Sequence, residues 1–360
     1  MRWNRFALAI AVVAAVGAAA AYWLRGDIAL SIWKRAITRA LTADASAELP
    51  DGLHVGLCGA GSPFPDPSRA GPCTAIIAGR RLFVVDSGDG STRNLSLMGL
   101  SPGRIEAVLL THFHSDHIDG LGALMLQRWI AGTHASPLPV HGPTGVDVIV
   151  AAFNAAYTLD RGYRLAHHGG NVAPPSGFGG TSKAFSIPPA QAEVMLIDDN
   201  GLQISAFSVA HAPAEPAVGY VFSYKGRKLV ISGDTAVTPR VEAASKGADL
   251  LVHEALAPNL VAMQQEAARA AGRANLDQIF KDIVDYHTTP EQAAALAERA
   301  GVQYLLLNHI VPGLPFRALE GPFLGKARSL FRGSIKVGND GDFISLPAGT
   351  KDIVVTNRIR

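Results

Sequence analysis

Four potential metal ligands, His112, His114, Asp116 and His117, fall within six residues of one another in the run Thr111-His-Phe-His-Ser-Asp-His-Ile-Asp-Gly120. No other feature of the chain constrains its fold as strongly. One regular helix cannot aim all four side chains at one point, whereas a strand end turning into a loop can, and the apolar residues 107–110 supply that strand. Neutral imidazole nitrogen and carboxylate oxygen are the donors that a borderline cation such as Zn²⁺ prefers, and a catalytic site keeps one position open for water. The bland alternative is a chance cluster of surface histidines.

At 360 residues, 48% of them hydrophobic, the chain can bury a large core, and one large domain is expected beyond the N-terminal segment. A net charge of +2, with no block of consecutive basic residues, gives no electrostatic argument for nucleic acid. Residues 6–24 form an apolar run preceded by Arg2 and Arg5 and closed by Tyr22, Trp23 and Arg25. Such a run spans a hydrocarbon core of ~30 Å and exceeds the usual h-region of a signal peptide. Residues 1–26 are therefore expected to be an uncleaved transmembrane anchor rather than a cleaved signal. Residues 27–52 follow as a juxtamembrane helix and linker, with Lys34, Arg35 and Arg39 off the apolar face. The catalytic domain is expected outside the cytoplasm, in the periplasm. Cys58 and Cys73 flank a Gly/Pro-rich loop; they pair in an oxidising compartment or remain small buried hydrophobes.

From residue 53 onward, strand-length apolar runs recur at 54–57, 74–78, 81–85, 107–110, 203–209, 218–224, 228–232, 250–253 and 304–307. Between them the spacing predicts helices over 120–131, 260–286 (with Gly272 as a break) and 290–300. The last has Thr289 as N-cap, Pro290 at the first position, Gln292 to complete a capping box and Gly301 as the stop. Early strands and later helices predict an α/β domain of two sheets with helices outside, over residues 53–350. The Gly/Pro-rich residues 160–200 read as an insertion near the site mouth, or else as a plain surface loop.

A site for two metals needs more ligands, and three stand at further strand ends: His211, Asp234 and His309. Taken with residues 59–63 (Gly-Ala-Gly-Ser-Pro), 84–88 (Val-Val-Asp-Ser-Gly), His253-Glu254-Ala255 and His287-Thr288-Thr289, this ordered set resembles the metallo-β-lactamase superfamily, in its ribonuclease Z-like and arylsulfatase-like branch. The resemblance covers roughly residues 53–345. It implies an αββα sandwich of two mixed sheets and two Zn²⁺ ions. It also implies that His112, His114 and His211 hold one ion, that Asp116, His117 and His309 hold the other, and that Asp234 bridges them. Asp86 then orients a ligand loop, and His253 lies behind the ligands; apart from the resemblance, Asp86 also reads as a turn former and His253 as an ordinary strand-end histidine.

Two zinc ions ~3.5–4 Å apart can share one water and hold it as a bridging hydroxide, the nucleophile toward an ester. Asp116 can accept its proton. His287, oriented by Glu254, suits proton donation to the leaving oxygen; apart from the resemblance it also reads as an ordinary histidine at the end of an element. Residues 311–316 with Phe323 and Leu324 can either line the mouth with apolar side chains or pack in the core. The expected function is a binuclear zinc hydrolase of a small-molecule ester, arylsulfatase-like or phosphodiesterase-like, anchored to the membrane through residues 6–24 and compatible with a homodimer. Nucleic acid ranks below such an ester, because an extracytoplasmic domain meets no precursor tRNA. The alternatives are a ribonuclease Z-type endonuclease acting on tRNA 3′ ends and a metal-binding protein without turnover.

Overall fold

The structure, a computed structural model, describes residues 2–42 and 46–359. The chain divides into two units, Met1–Asp44 and Ala45–Arg360. The first is a helix, α1 (Arg2–Thr42), so the anchor and juxtamembrane pieces form one helical element. The expected transmembrane helix is not supported. Among the described residues no single helix is long and apolar enough to cross a membrane, and Ile10–Ala19 with Ala21–Thr38 qualify only as a pair bent by 48°. The bend leaves neither arm with the ~20 apolar residues that a hydrocarbon core demands. Residues 43–45, within the stretch 27–52 expected as a juxtamembrane helix and linker, lie outside the described residues.

The second unit holds strands β1 (Gly52–Gly59), β2 (Cys73–Ala78), β3 (Arg81–Val85), β4 (Ile105–Leu109), β5 (Leu138–Pro143), β6 (Gly180–Phe185), β7 (Val194–Asp199), β8 (Leu202–Ser208), β9 (Val218–Tyr224), β10 (Arg227–Ile231), β11 (Leu250–Leu256), β12 (Tyr304–Val311), β13 (Ser334–Val337), β14 (Asp342–Pro347) and β15 (Val354–Asn357). Its helices are α2 (Ser91–Leu97), α3 (Ser115–Ile118), α4 (Leu121–Gly132), α5 (Val146–Ala156), α6 (Thr158–His168), α7 (Pro239–Ser245), α8 (Pro258–Ala270), α9 (Ala274–Asp282), α10 (Pro290–Ala300), α11 (Glu320–Leu324) and α12 (Ala327–Leu330).

The strands form two mixed sheets, β15-β14-β1-β2-β3-β4-β5-β6 and β13-β12-β11-β10-β9-β8-β7. Runs such as Leu82-Phe83-Val84-Val85 are apolar at every position because both of their faces are covered. Val55, Phe83 and Leu109 meet Ile204, Tyr220 and Phe222 between the sheets. Leu95, Leu124 and Val150 of α2, α4 and α5 cover the outside of the first sheet. On the second sheet Val241 of α7, Leu296 of α10 and Phe323 of α11 do the same. The result is the expected αββα sandwich. The helix expected over 260–286 breaks at Gly272 (φ 67°) into α8 and α9, followed by a 3₁₀ turn, Ile283–Tyr286.

Residues 160–200 carry α6 and one edge strand of each sheet, β6 and β7, rather than an insertion at the mouth. Phe323 and Leu324 are buried under the second sheet, and Phe316 is exposed. Cys58 and Cys73 form a disulfide, with Cα atoms 5.0 Å apart, where β1 ends and β2 begins.

Candidate metal centre

The site forms where strands run out. β3 ends one residue before Asp86, β4 leads into Thr111 and His112, β10 ends three residues before Asp234, and β11 and β12 carry Glu254 and His309. Each run turns from apolar to polar at that edge, because the sandwich can bury only its middle. After β4 the chain passes through an extended His114 into the short α3, which carries Asp116 and His117 and brings the His117 ring to 4.1 Å from that of His112.

Two ligand clusters result. In the first, His114 Nδ1 lies 2.9 Å from His112 Nε2 and 3.3 Å from His211 Nε2. In the second, Asp116 Oδ2 lies 3.2 Å from His309 Nε2 and 3.6 Å from His117 Nε2. A single oxygen, Asp234 Oδ2, faces both: it is 3.9 Å from His112, 3.8 Å from His211, 3.4 Å from His117 and 3.2 Å from His309. All seven side chains expected as ligands are thus brought together, and only His114 among them is exposed.

A second layer aims these rings. Asp86 accepts from the Thr111 amide and hydroxyl, each at 2.8 Å, and from His117 Nδ1 at 2.9 Å. His211 Nδ1 donates to the Tyr286 carbonyl at 3.1 Å. Such bonds leave the opposite nitrogen free for a cation. Glu254 Oε1 accepts the Thr288 amide at 2.8 Å and stands 3.2 Å from His287 Nδ1. His253 donates to the Glu254 carbonyl at 2.8 Å and is fully buried.

Burial, with His117 close by, holds His112 well below the ordinary imidazole value, and burial lowers His114 and His211 too. Burial alone would raise the Asp234 carboxyl, but His309 and His117 pull it well down. His117 goes the other way: burial opposes its charge, yet Asp234, Asp116 and Asp86 raise it well above the usual value. His287, also opposed by burial, is raised by Glu254. Neutral imidazoles beside ionised carboxylates are the form a metal binds, which His112, His114, His211 and Asp234 favour and which His117 reaches on losing its proton.

The site fits a divalent metal. Its donors are imidazole nitrogen and carboxylate oxygen, for which zinc is the typical ion, and the buried His117 Nε2 has no hydrogen-bond partner among the described residues. Above the clusters lies a cleft of about 320 Å³, where His114, Asp116 and His287 face Phe64, Ile283 and Tyr286. This apolar side was not foreseen. Of the residues expected to line the mouth after His309, only Val311 does so, and no pattern local to residue 64 or to 279–286 signals where those side chains converge.

Residues 83–310 match the Beta-lactamase superfamily domain. The chain belongs to the metallo-β-lactamase superfamily. Within that superfamily it is 36% identical over 290 residues to a protein named Ribonuclease Z from Mycobacterium bovis (strain BCG / Pasteur 1173P2), covering 80% of this chain and 96% of the relative. A Ribonuclease Z of Mycobacterium avium (strain 104) is 35% identical with the same coverage. These relatives place the chain in the ribonuclease Z-like branch. Among solved structures, human tRNase Z, short form, superposes with a TM-score of 0.56 at 22% identity, over 82% of this chain and 99% of that one. The metallo-β-lactamase fold protein YhfI of Bacillus subtilis gives 0.55 at 18% identity, over 82% and 99%.

Proposed function

We propose that this metallohydrolase is a phosphodiesterase of the ribonuclease Z type, acting on the 3′ ends of precursor tRNA. One observation carries the reading: Asp234 Oδ2 joins both ligand clusters in a chain that matches 96% of the length of relatives named Ribonuclease Z. RNA therefore replaces the small sulfate or other ester as the leading substrate, and nucleic acid, expected from the sequence to rank below a small ester, becomes the leading partner.

In this reading His112, His114 and His211 hold one divalent ion, Asp116, His117 and His309 hold the second, and Asp234 lies between them. When bound, the metals supply Lewis acidity that makes water a nucleophile near neutral pH and offsets charge on the phosphoryl oxygens. Asp116, at the cleft, takes the proton of the attacking water. His287, whose charged form Glu254 favours, gives a proton to the leaving oxygen. Asp86 and the Tyr286 carbonyl hold their imidazoles in place.

The test is to incubate the zinc-loaded protein with a precursor tRNA carrying a 3′ trailer. Release of the trailer, abolished by a chelator and restored by zinc, is the expected result; an untouched precursor overturns the reading. A second reading, an aryl ester hydrolase outside the cytoplasm, is favoured by the Cys58–Cys73 disulfide, which persists in oxidising compartments. Hydrolysis of bis(p-nitrophenyl) phosphate or an aryl sulfate with no cleavage of the precursor supports that one. Inertness toward every substrate with metal bound leaves a metal-binding protein without turnover.

A further inference from the structure

A buried carboxylate outside the ligand set reaches both flanks of the second cluster. Asp340 sits in the turn between β13 and β14, where the chain crosses from the second sheet to the first. Its Oδ1 accepts the Ala60 amide at 3.0 Å, and its Oδ2 accepts the Ala70 amide at 2.8 Å and the Asn94 side-chain amide at 2.6 Å. Ala60 and Ala70 stand near the two ends of the loop between β1 and β2. The Ala70 carbonyl accepts the Gly61 amide at 2.8 Å, so the ends are also tied to each other.

Each end of the loop leads to a metal ligand. The Ala60 carbonyl accepts the Ile310 amide at 3.0 Å. Ile310 follows His309, which stands unpaired in the bulge of β12, with Asn308 opposite Glu254, Ile310 opposite Ala255 and φ 45° between them. A residue other than glycine keeps such a conformation only where its surroundings over-determine it, and the bond from Ile310 to Ala60 fixes the chain immediately after it. At the other end, Gly71 donates to the Asp89 carbonyl at 2.9 Å, and the Pro72 carbonyl accepts the Gly88 amide at 3.0 Å. Here backbone packs on backbone: a Cβ at Gly88 would stand 2.3 Å from the Asp116 carbonyl oxygen, and one at Gly71 would stand 3.1 Å from it. In the first cluster, His211 is held instead by the Tyr286 carbonyl.

We propose that Asp340 is a positioning residue for the second metal, setting His309 through Ala60 and Asp116 through Ala70 and Gly71. The proposal rests on the two-metal reading above and on no choice of substrate. Without the carboxylate, the Ala60 and Ala70 amides are buried donors lacking an acceptor. The loop then shifts to satisfy them, the bond to the Ile310 amide is lost, and His309 and Asp116 no longer converge. Asparagine does not substitute, because its one oxygen can meet Ala60 or Ala70 but not both, and its amide hydrogens face a donor. The ligands His112, His114 and His211 keep their places, so the two metals respond differently.

The experiment is stepwise zinc binding to the full chain, read by competition with a chromogenic chelator, for native protein, Asp340→Asn and Asp340→Ala. His211→Ala and His309→Ala, which each remove a ligand from one cluster, serve as references, and the visible spectrum of cobalt(II)-loaded forms shows which cluster is filled. Both Asp340 variants are expected to bind the first equivalent as native protein does and the second ~10- to 100-fold more weakly, with the cobalt spectrum of His309→Ala rather than that of His211→Ala. Asp340→Asn keeps the shape of the side chain and carries the test where Asp340→Ala does not fold. Leu296→Ala, a core truncation in α10, lowers the thermal transition and is expected to leave both equivalents bound. A second equivalent held as tightly as in native protein, equal weakening of both equivalents, or the same loss in Leu296→Ala overturns the proposal. Fewer than two equivalents in native protein refutes the two-metal reading, and the proposal falls with it.

Discussion

Asp234 is the residue on which the centre turns, since one of its oxygens faces four imidazoles at 3.2–3.9 Å. Asp234→Ala is expected to lower bound zinc from about two equivalents to one or fewer, as read by metal analysis of the purified chain. His287 has a different signature. It is a proton donor in the proposed mechanism and no ligand, so His287→Ala keeps its metal while kcat falls by ~10² to 10⁴. Glu254 holds His287 above the ordinary imidazole value. The charged donor therefore persists to higher pH than an ordinary imidazole and is lost as pH rises through that raised value, and Glu254→Gln is expected to move the basic limb of the kcat profile to lower pH. Identical profiles for native and Glu254→Gln protein refute the pairing. The ligand types were legible at this scale because imidazole and carboxylate carry their chemistry wherever they stand. Tyr286 was not, because what it offers His211 is a backbone carbonyl that any residue possesses.

Among elements, strand ends do the positioning, and two of them use unusual backbone. Asp86 has φ 58° where β3 ends, and His309 has φ 45° at a register shift between β11 and β12. A bulge of this kind turns one side chain out of the alternation of its strand, here toward Asp116 and Asp234. Asp86→Ala removes the acceptor for His117 Nδ1 and for two Thr111 donors, and is expected to weaken metal affinity ~10- to 100-fold in chelator competition. Away from the site, α10 shows the capping box read from its sequence, with Thr289 Oγ1 accepting the Gln292 amide at 3.2 Å and Gln292 Oε1 accepting the Thr289 amide at 2.9 Å. Thr289→Ala is expected to cost about 1 kcal/mol of stability by denaturant titration, with metal content intact. Such caps are legible because every partner lies within one turn. β6, β7, β13 and β15 escaped notice because strands at or near a sheet edge are partly exposed and lack a continuous apolar run, whereas β5 and β14 are mostly buried but have runs interrupted by polar residues and proline.

At the scale of the whole molecule, residues 45–360 form a unit of their own, so a chain lacking residues 1–44 is expected to keep its zinc content and its thermal transition. Loss of either shows that the N-terminal helix supports the sandwich. Acting on precursor tRNA requires the catalytic unit to face the cytoplasm, whereas hydrolysis of small esters outside it does not. A C-terminal green fluorescent protein fusion that fluoresces, with a matching alkaline phosphatase fusion that is inactive, is the outcome expected for ribonuclease Z-type action, and the reverse pair refutes it. The residues alone determined the donor chemistry, the central strands and the main helices, because apolar periodicity, caps and ligand types act over a few neighbouring positions. Only the folded chain decided that Asp234 shares one oxygen between two clusters, that Cys58 meets Cys73, that residues 160–200 supply edge strands and that Phe64 joins Tyr286 across the cleft. Those are distances between segments far apart in the chain, fixed by sheet register and by packing between layers, and no local pattern carries them.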